Sequence, residues 1–246
     1  MAGMIHKVLK QSGAVPSRPY CTCVVPAAGS STRMEGHDKL MENIGGMPLI
    51  QRTLVALEQC SLIDEIIVVT RPELTTKIGS LCVEKRLVKI KNIIPGGSTR
   101  TESVWLGVKA ANEKTELLAV HDGARPFPSQ QLLKEVLRTG AKTGAAAPAV
   151  PVKDTIKRAE GGVTSETLDR STLYAVQTPQ VFDFGLFKGA LSKAVDEYWE
   201  VTDDCSVVEK IGMNITLTKG EDTNIKITTP TDLIIGEAIA ACLDAE

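Results

Sequence analysis

No apolar run in the chain approaches the ~18 residues that a membrane-crossing helix requires, so no transmembrane segment is expected. No C-x-x-C pair occurs, and no histidine stands at metal-ligand spacing from Cys21, Cys23, Cys60, Cys82, Cys205 or Cys242. A zinc site is therefore not expected, and the thiols read as reduced and mostly buried, as in a cytoplasmic protein. Charge of one sign is also missing. The formal net charge is -2, with no basic tract, which gives no surface for a nucleic acid or an anionic membrane. Any phosphate must be held by a local pocket. Internal repeats and low-complexity tracts are absent, and residues 1–19 lack the continuous apolar core of a signal peptide. They are expected to be a poorly ordered N-terminal extension to one domain spanning 20–246.

What the 246 residues do contain is an alternation of β-branched runs and amphipathic stretches of helical length. Strands are expected at 20–26, 65–70, 88–94, 116–121, 145–150, 173–178 and 214–218. Apolar 3-4 spacing predicts helices at 48–60, 73–86, 99–111, 129–142, 184–197, 203–211 and 230–244. This order implies an α/β fold with a mainly parallel sheet flanked by helices. Thr99 with Glu102 fits a capping box, Thr202 precedes two aspartates suited to a helix start, and Thr229-Pro230 places an N-cap before an N1 proline. Residues 151–172 break the pattern. Gly161-Gly162 there separates two alternating polar runs, which predicts a β-hairpin arm projecting from the sheet.

Ligands of open α/β sheets bind beyond the carboxyl ends of the strands. The first such segment, VVPAAGSSTRM (24–34), drops from a buried run into small and hydroxylated residues. Gly29 with Ser30, Ser31 and Thr32 can bring backbone N–H groups close to phosphate oxygens. The segment lacks the second and third glycines of a dinucleotide fingerprint, and no Gly-Lys-Ser/Thr is present, so both of those phosphate loops are excluded. Arg33, Lys39, Arg100, Arg125, Lys153, Arg170 and Lys226 all fall in loops on one expected rim, a pattern that suits a pocket for anions. Asp122 is the carboxylate expected inside, as a turn cap or facing the ligand. His121 reads as its structural neighbour, and Trp105 and Trp199 as packing residues.

Taken in order, AAGSSTRM with Lys39, GGSTRTESV, HDGARP, DRSTLYAVQTPQVF and NIKITTPTDL resemble the 2-C-methyl-D-erythritol 4-phosphate cytidylyltransferases of the non-mevalonate isoprenoid pathway, over residues 20–244. The resemblance implies a single Rossmann-like nucleotidyltransferase domain, a homodimer interlocked through the hairpin arm, CTP and a polyol phosphate as substrates, magnesium as cofactor, and pyrophosphate as second product. By position, Ala27, Ala28 and Gly29 would lie along the nucleotide, with Arg33 and Lys39 on its triphosphate. Gly97 and Ser103 would lie near cytosine, and Asp122, Ala124 and Arg125 near ribose and the reacting centre. Thr155, Arg170, Thr178 and Lys226 would hold the acceptor phosphate, the hairpin residues serving the partner subunit. Ser31 stands where many members carry a second glycine.

The reaction so implied joins two anions. A phosphate monoester has a second pKa of about 6 and is largely a dianion at neutral pH, so attack on the α-phosphorus needs no general base. That agrees with a chain of only three histidines. Arg33, Lys39, Arg170 and Lys226 are the expected catalytic charges. Two further readings share the same loops: a cytidylyltransferase for ribitol 5-phosphate or another polyol phosphate, and a non-catalytic nucleotide sensor.

Overall fold

A computed structural model describes residues 18–29 and 38–245. Its framework is an eight-stranded sheet. At its centre lies β1 (Cys21–Ala27), parallel on one side to β4 (Glu65–Thr70) and on the other to β6 (Leu117–Val120). Beyond β4 lies β5 (Ile90–Pro95), again parallel. Beyond β6 the order continues through β11 (Gln180–Asp183) to β7 (Ala145–Pro151), which also pairs with β10 (Tyr174–Val176) and, in parallel, with β12 (Thr216–Lys219). Strands β10 and β11 run antiparallel to their neighbours in this otherwise parallel sheet. A two-stranded ribbon, β2 (Asn43–Ile44) with β3 (Met47–Pro48), stands apart from the sheet.

Side chains alternate faces along each strand, so one period-2 pattern generates two cores. Cys21, Cys23, Val25, Ile66, Val68, Ala119 and Val181 pack toward α1 (Leu49–Glu58), α2 (Thr75–Glu84), α4 (Gln130–Thr143) and α7 (Pro230–Leu243). Val24, Ile67, Val69, Leu118, Val120 and Phe182 pack toward α3 (Arg100–Lys109), α5 (Phe184–Asp196) and α6 (Asp204–Glu209). Burial on both faces explains why these strands read as continuous apolar runs. Five of the six cysteines are buried in this framework and all are free thiols. Trp105 and Trp199 pack at the margin of the second core. No helix among the described residues is long and apolar enough to cross a membrane.

Every expected helix and strand has its counterpart within a few residues, with three differences of detail. The run 173–178 ends at Val176, and a separate strand, β11, follows it. Four residues bounded by Gln180 and Asp183 carry too little periodicity to be told from a loop, and Asp183 is at once the strand's end and the N-cap of α5, accepting from Leu186 N at 2.9 Å. At α3, Thr99 accepts from Glu102 N, but the Glu102 carboxylate turns to Ser98, so only half of a capping box forms there. The full box is at α7, between Thr229 and Asp232. The N-cap of α6 is Asp203, one residue after Thr202.

The arm is a hairpin, β8 (Lys157–Glu160) with β9 (Val163–Thr167), every residue of both strands being exposed. Gly161 and Gly162 both have positive φ (56° and 83°), the mirror-image turn that matches strand twist. Before the sheet, Arg18 forks onto both carboxylate oxygens of Asp64 at 2.6 and 2.7 Å.

The chain passes from β1 outward to β4 and β5, then returns to place β6 on the other side of β1. The crevice where strand order reverses therefore opens at the carboxyl ends of β1 and β6. Close approach of α3 to β1 sets one wall of it. A Cβ on Gly107 would stand 2.5 Å from Val24 Cγ1 and 3.1 Å from Val69 Cγ2. Gly107→Ala is therefore expected to overpack the second core by about 1–3 kcal/mol and lower the melting temperature by roughly 5 °C. Thermal denaturation followed by circular dichroism reads this, and an unchanged transition would contradict the tight fit.

Candidate active site

The crevice holds a cavity of about 340 Å³. Its walls come from five segments that follow parallel strands or precede α7: Pro26 to Gly29, Lys39 with Leu40, Gly97 to Arg100 with Ser103, Asp122 to Ala124, and Lys226. Strand ends fix these loops by direct hydrogen bonds. Thr70 Oγ1 donates to Ala27 O at 3.2 Å, Gly96 N to Thr70 O at 2.8 Å, and Gly123 N to Pro26 O at 3.2 Å. The Thr53 hydroxyl reaches up from α1 to Gly123 O at 3.0 Å, and Ile227 N ties the Lys226 segment to Ala124 O at 2.9 Å.

One wall is narrow by construction. Gly97 N donates to Ser103 Oγ at 3.1 Å, and that hydroxyl donates to Thr99 O at 2.9 Å. A Cβ on Gly96 would lie 2.6 Å from Ala28 Cβ and 2.8 Å from Ser103 Oγ. Only glycine lets the segment before α3 stand this close to Ala28, so the wall is mostly backbone. That suits a flat, polar-edged ligand.

The floor is ionic. Asp122 is buried at 7% exposure, and three cations converge on it: Lys226 Nζ at 3.0 Å from Oδ2, Arg125 Nε at 3.5 Å from Oδ2, and Arg100 Nη2 at 3.5 Å from Oδ1. Burial alone would push the Asp122 carboxyl up, but Lys226, Arg100 and Arg125 together outweigh it and hold the group well below the usual carboxylate range. Arg125 is lowered from its ordinary value by burial, an effect only partly opposed by Asp122. Its Nη1 donates to Asn224 O at 2.7 Å.

Beneath Asp122 the proton order is determined by donor chemistry. His121 Nε2 lies 3.0 Å from the Arg125 carbonyl, which can only accept, so Nε2 carries the proton of the neutral ring. Nδ1 then accepts from the Thr178 hydroxyl at 3.1 Å, and Thr178 Oγ1 accepts from Asp122 N at 3.1 Å. Burial pushes the imidazole down to about 4, with the hydrogen bond that it donates to the Arg125 carbonyl pulling the other way. Thr178 O in turn accepts from Asn224 Nδ2 at 3.0 Å.

The residues singled out in the sequence are thus placed in three groups. Ala27, Ala28, Gly29, Lys39, Arg100, Gly97, Ser103, Asp122, Ala124 and Lys226 line the cavity. Arg125 and Thr178 lie against it through Asp122, the Thr178 hydroxyl being turned inward to His121 rather than outward. Thr155, Lys153 and Arg170 belong to the arm and its base and are exposed. Arg170 Nη1 donates to Lys153 O at 2.9 Å, and Lys153 Nζ pairs with Asp222 at 2.7 Å, which stitches the arm's base to the loop carrying Lys226. Arg33 lies outside the described residues. Asp38 is held by Arg71 and caps the turn containing Lys39.

Sequence reasoning missed Asn224, Gln177 and Asp204 as parts of this network. Asn224 and Gln177 are buried side chains bridging the 177–178 and 221–224 turns. A polar residue flanked by turn residues gives no periodic signal. Asp204, expected to cap a helix, instead sends its carboxylate to Arg100 at 2.6 Å.

The chain is similar to known proteins over most of its length. The family model for 2-C-methyl-D-erythritol 4-phosphate cytidylyltransferase matches residues 21–241. A protein of that name from Halalkalibacterium halodurans is 43% identical over 219 residues, covering 89% of this chain and 96% of the relative. Among solved structures, 4-diphosphocytidyl-2C-methyl-D-erythritol synthase from Anaerococcus prevotii superposes with a TM-score of 0.80 at 32% identity, covering 89% of this chain and 95% of its own. The Thermus thermophilus 2-C-methyl-D-erythritol 4-phosphate cytidylyltransferase gives 0.75 at 34% identity, covering 89% of this chain and 98% of its own.

The buried neutral His121 makes a pH prediction. An unfolded histidine takes its proton near 6.5 and the folded one near 4, so between those values the unfolded state binds more protons. Stability is expected to fall by about 3 kcal/mol as pH is lowered from about 6.5 to about 4. Asp122 acts in a lower window: its contribution is present above an unfolded pKa of about 3.9 and is lost only as pH falls below that. Denaturant titrations at stepped pH should show the upper loss in the native chain and its flattening in His121→Asn. The same slope in both would remove His121 as its source.

Proposed function

The chain belongs to the 2-C-methyl-D-erythritol 4-phosphate cytidylyltransferase family, and we infer that its cavity transfers a cytidylyl group from CTP by placing charge rather than by moving a proton. The substrates are CTP and 2-C-methyl-D-erythritol 4-phosphate, and the products are pyrophosphate and the cytidine diphosphate ester of the isoprenoid pathway. The observation that carries the mechanism is Asp122, one buried carboxylate holding Lys226, Arg100 and Arg125 at the crevice.

The narrow wall of Ala27, Ala28, Gly29, Gly97 and Ser103 receives the nucleotide, with Lys39 toward its triphosphate, the role that the family resemblance also implies for Arg33. Lys226 lines the same cavity and takes the acceptor phosphate. The monoester dianion then attacks the α-phosphorus in line, one P–O bond forming as the bond to pyrophosphate breaks. No residue needs to accept a proton, and His121, with both ring nitrogens already engaged, is free of any such duty. Fixed cations are what two approaching anions require, because their stabilisation costs no reorganisation at the moment of reaction. Arg125 acts one layer down, keeping Asp122 ionised and in place.

Magnesium bound with the nucleotide would neutralise triphosphate charge and favour departure of pyrophosphate. Asp122 is the one carboxylate among the described residues lining the cavity, and its oxygens already face three cations. Such a donor set fits an ion held by phosphate oxygens and waters, with Asp122 nearby. The arm supports a homodimeric assembly: its strands are fully exposed, and Thr155 and Arg170, which flank them, would clamp the acceptor phosphate of a second copy. The free thiols are in keeping with a cytoplasmic setting.

A coupled pyrophosphate-release assay tests the reading. With CTP, 2-C-methyl-D-erythritol 4-phosphate should turn over and ribitol 5-phosphate should not. Chelation of divalent ions should stop release and added magnesium restore it. Lys39→Ala and Lys226→Ala should each lower kcat on the order of 10²-fold in a protein that still folds. Preference for ribitol phosphate, or full turnover in both variants, would overturn the assignment.

A further inference from the structure

Arg100 is the one arginine among the described residues lining the cavity, and its guanidinium is held from behind. Nη2 lies 2.6 Å from Asp204 Oδ2, much nearer than its 3.5 Å separation from Asp122. Asp204 is 2% exposed and stands in the first turn of α6, more than a hundred residues along the chain. It does not line the cavity, and no step of the proposed reaction uses it. A buried carboxylate is costly unless paired and hydrogen-bonded, and replacing a buried ion pair as a whole by apolar side chains often costs nothing, so stability alone does not account for the Asp204–Arg100 pair.

A second buried polar side chain holds it there. Gln180, also 2% exposed, is the first residue of β11. Its Oε1 accepts from the backbone N–H groups of Asp204 at 3.0 Å and Cys205 at 2.9 Å, while its Nε2 donates to Asp203 Oδ2 at 2.7 Å. The sheet thereby fixes the first turn of α6, and that turn aims a carboxylate at Arg100. Arg100 opens α3, the helix whose N-cap Thr99 and whose Ser103 form the narrow wall with Gly97.

We propose that Asp204, fixed by Gln180, is a positioning residue for the nucleotide, setting the guanidinium of Arg100 and with it the first turn of α3. The inference rests on the reading above that the Gly97–Ser103 wall receives CTP. Without the Asp204 charge, Arg100 has Asp122 as its neighbouring carboxylate and turns toward it, carrying the wall out of register. Nucleotide binding is then weakened while the acceptor end, built on Lys226, is spared.

Titration calorimetry with CTP alone, together with initial rates varied in each substrate, tests this in Asp204→Asn. The expected result is a rise of at least fivefold in both the CTP Kd and the CTP KM, with the acceptor KM within twofold of wild type. Arg100→Lys keeps the charge but loses the fork, so it should behave likewise, and the double variant should be no worse than the poorer single one. Should Asp204→Asn fail to fold, Arg100→Lys and Gln180→Met carry the same test. A folded variant with CTP affinity within twofold of wild type, or an equal rise for both substrates, would overturn the proposal. A wild-type protein that binds CTP without transferring its cytidylyl group would instead overturn the proposed function and leave the calorimetric test standing.

Discussion

Asp122 is a carboxylate almost removed from water, and it remains charged because three cations from three separate segments meet it. Neither side of that arrangement is stable alone. Lys226, Arg100 and Arg125 would repel one another if brought together without an anion, and Asp122 would take up a proton if buried without them. Each strand end that delivers one of these groups is therefore constrained by the others. The sheet supplies the framework: β6 carries Asp122 out at the switch point, α3 begins with Arg100, and the segment before α7 carries Lys226.

Below the charges lies a neutral layer that keeps them in register. His121, Thr178, Asn224 and Gln177 form one connected set of hydrogen bonds from the Arg125 carbonyl to the turn before α7. Because His121 is held neutral, this layer adds no charge that would compete with Asp122 for the cations. Thr178 links the two layers directly, accepting from the Asp122 backbone and donating to the ring. A site that must receive two anions benefits from such rigidity, since fixed dipoles need not reorganise as charge moves.

Much of the framework was legible from the chain. Runs such as EIIVVT, buried on both faces, and helices with apolar 3-4 spacing leave little choice of fold class. The convergence of Lys39, Arg100, Asp122 and Lys226 followed from one rule, that ligands of such sheets bind at the carboxyl ends. What escaped was long-range polar pairing. Asp204 reads as a helix cap because aspartate beside a helix start is usually one, and only the fold shows that Asp203 caps while Asp204 reaches Arg100. Gln180 is silent for the same reason: a four-residue strand offers no period, and its three hydrogen bonds go to residues more than twenty positions away.

The central claim is that a buried charge at position 122 holds the cations in the geometry that joins the two anions. The most direct measurement is the single-turnover rate of cytidylyl transfer by Asp122→Asn at saturating CTP and acceptor. An amide of the same shape leaves the packing and removes the charge, so the rate should fall on the order of 10²-fold or more in a protein that still binds CTP. A single-turnover rate within threefold of the native enzyme would contradict the account.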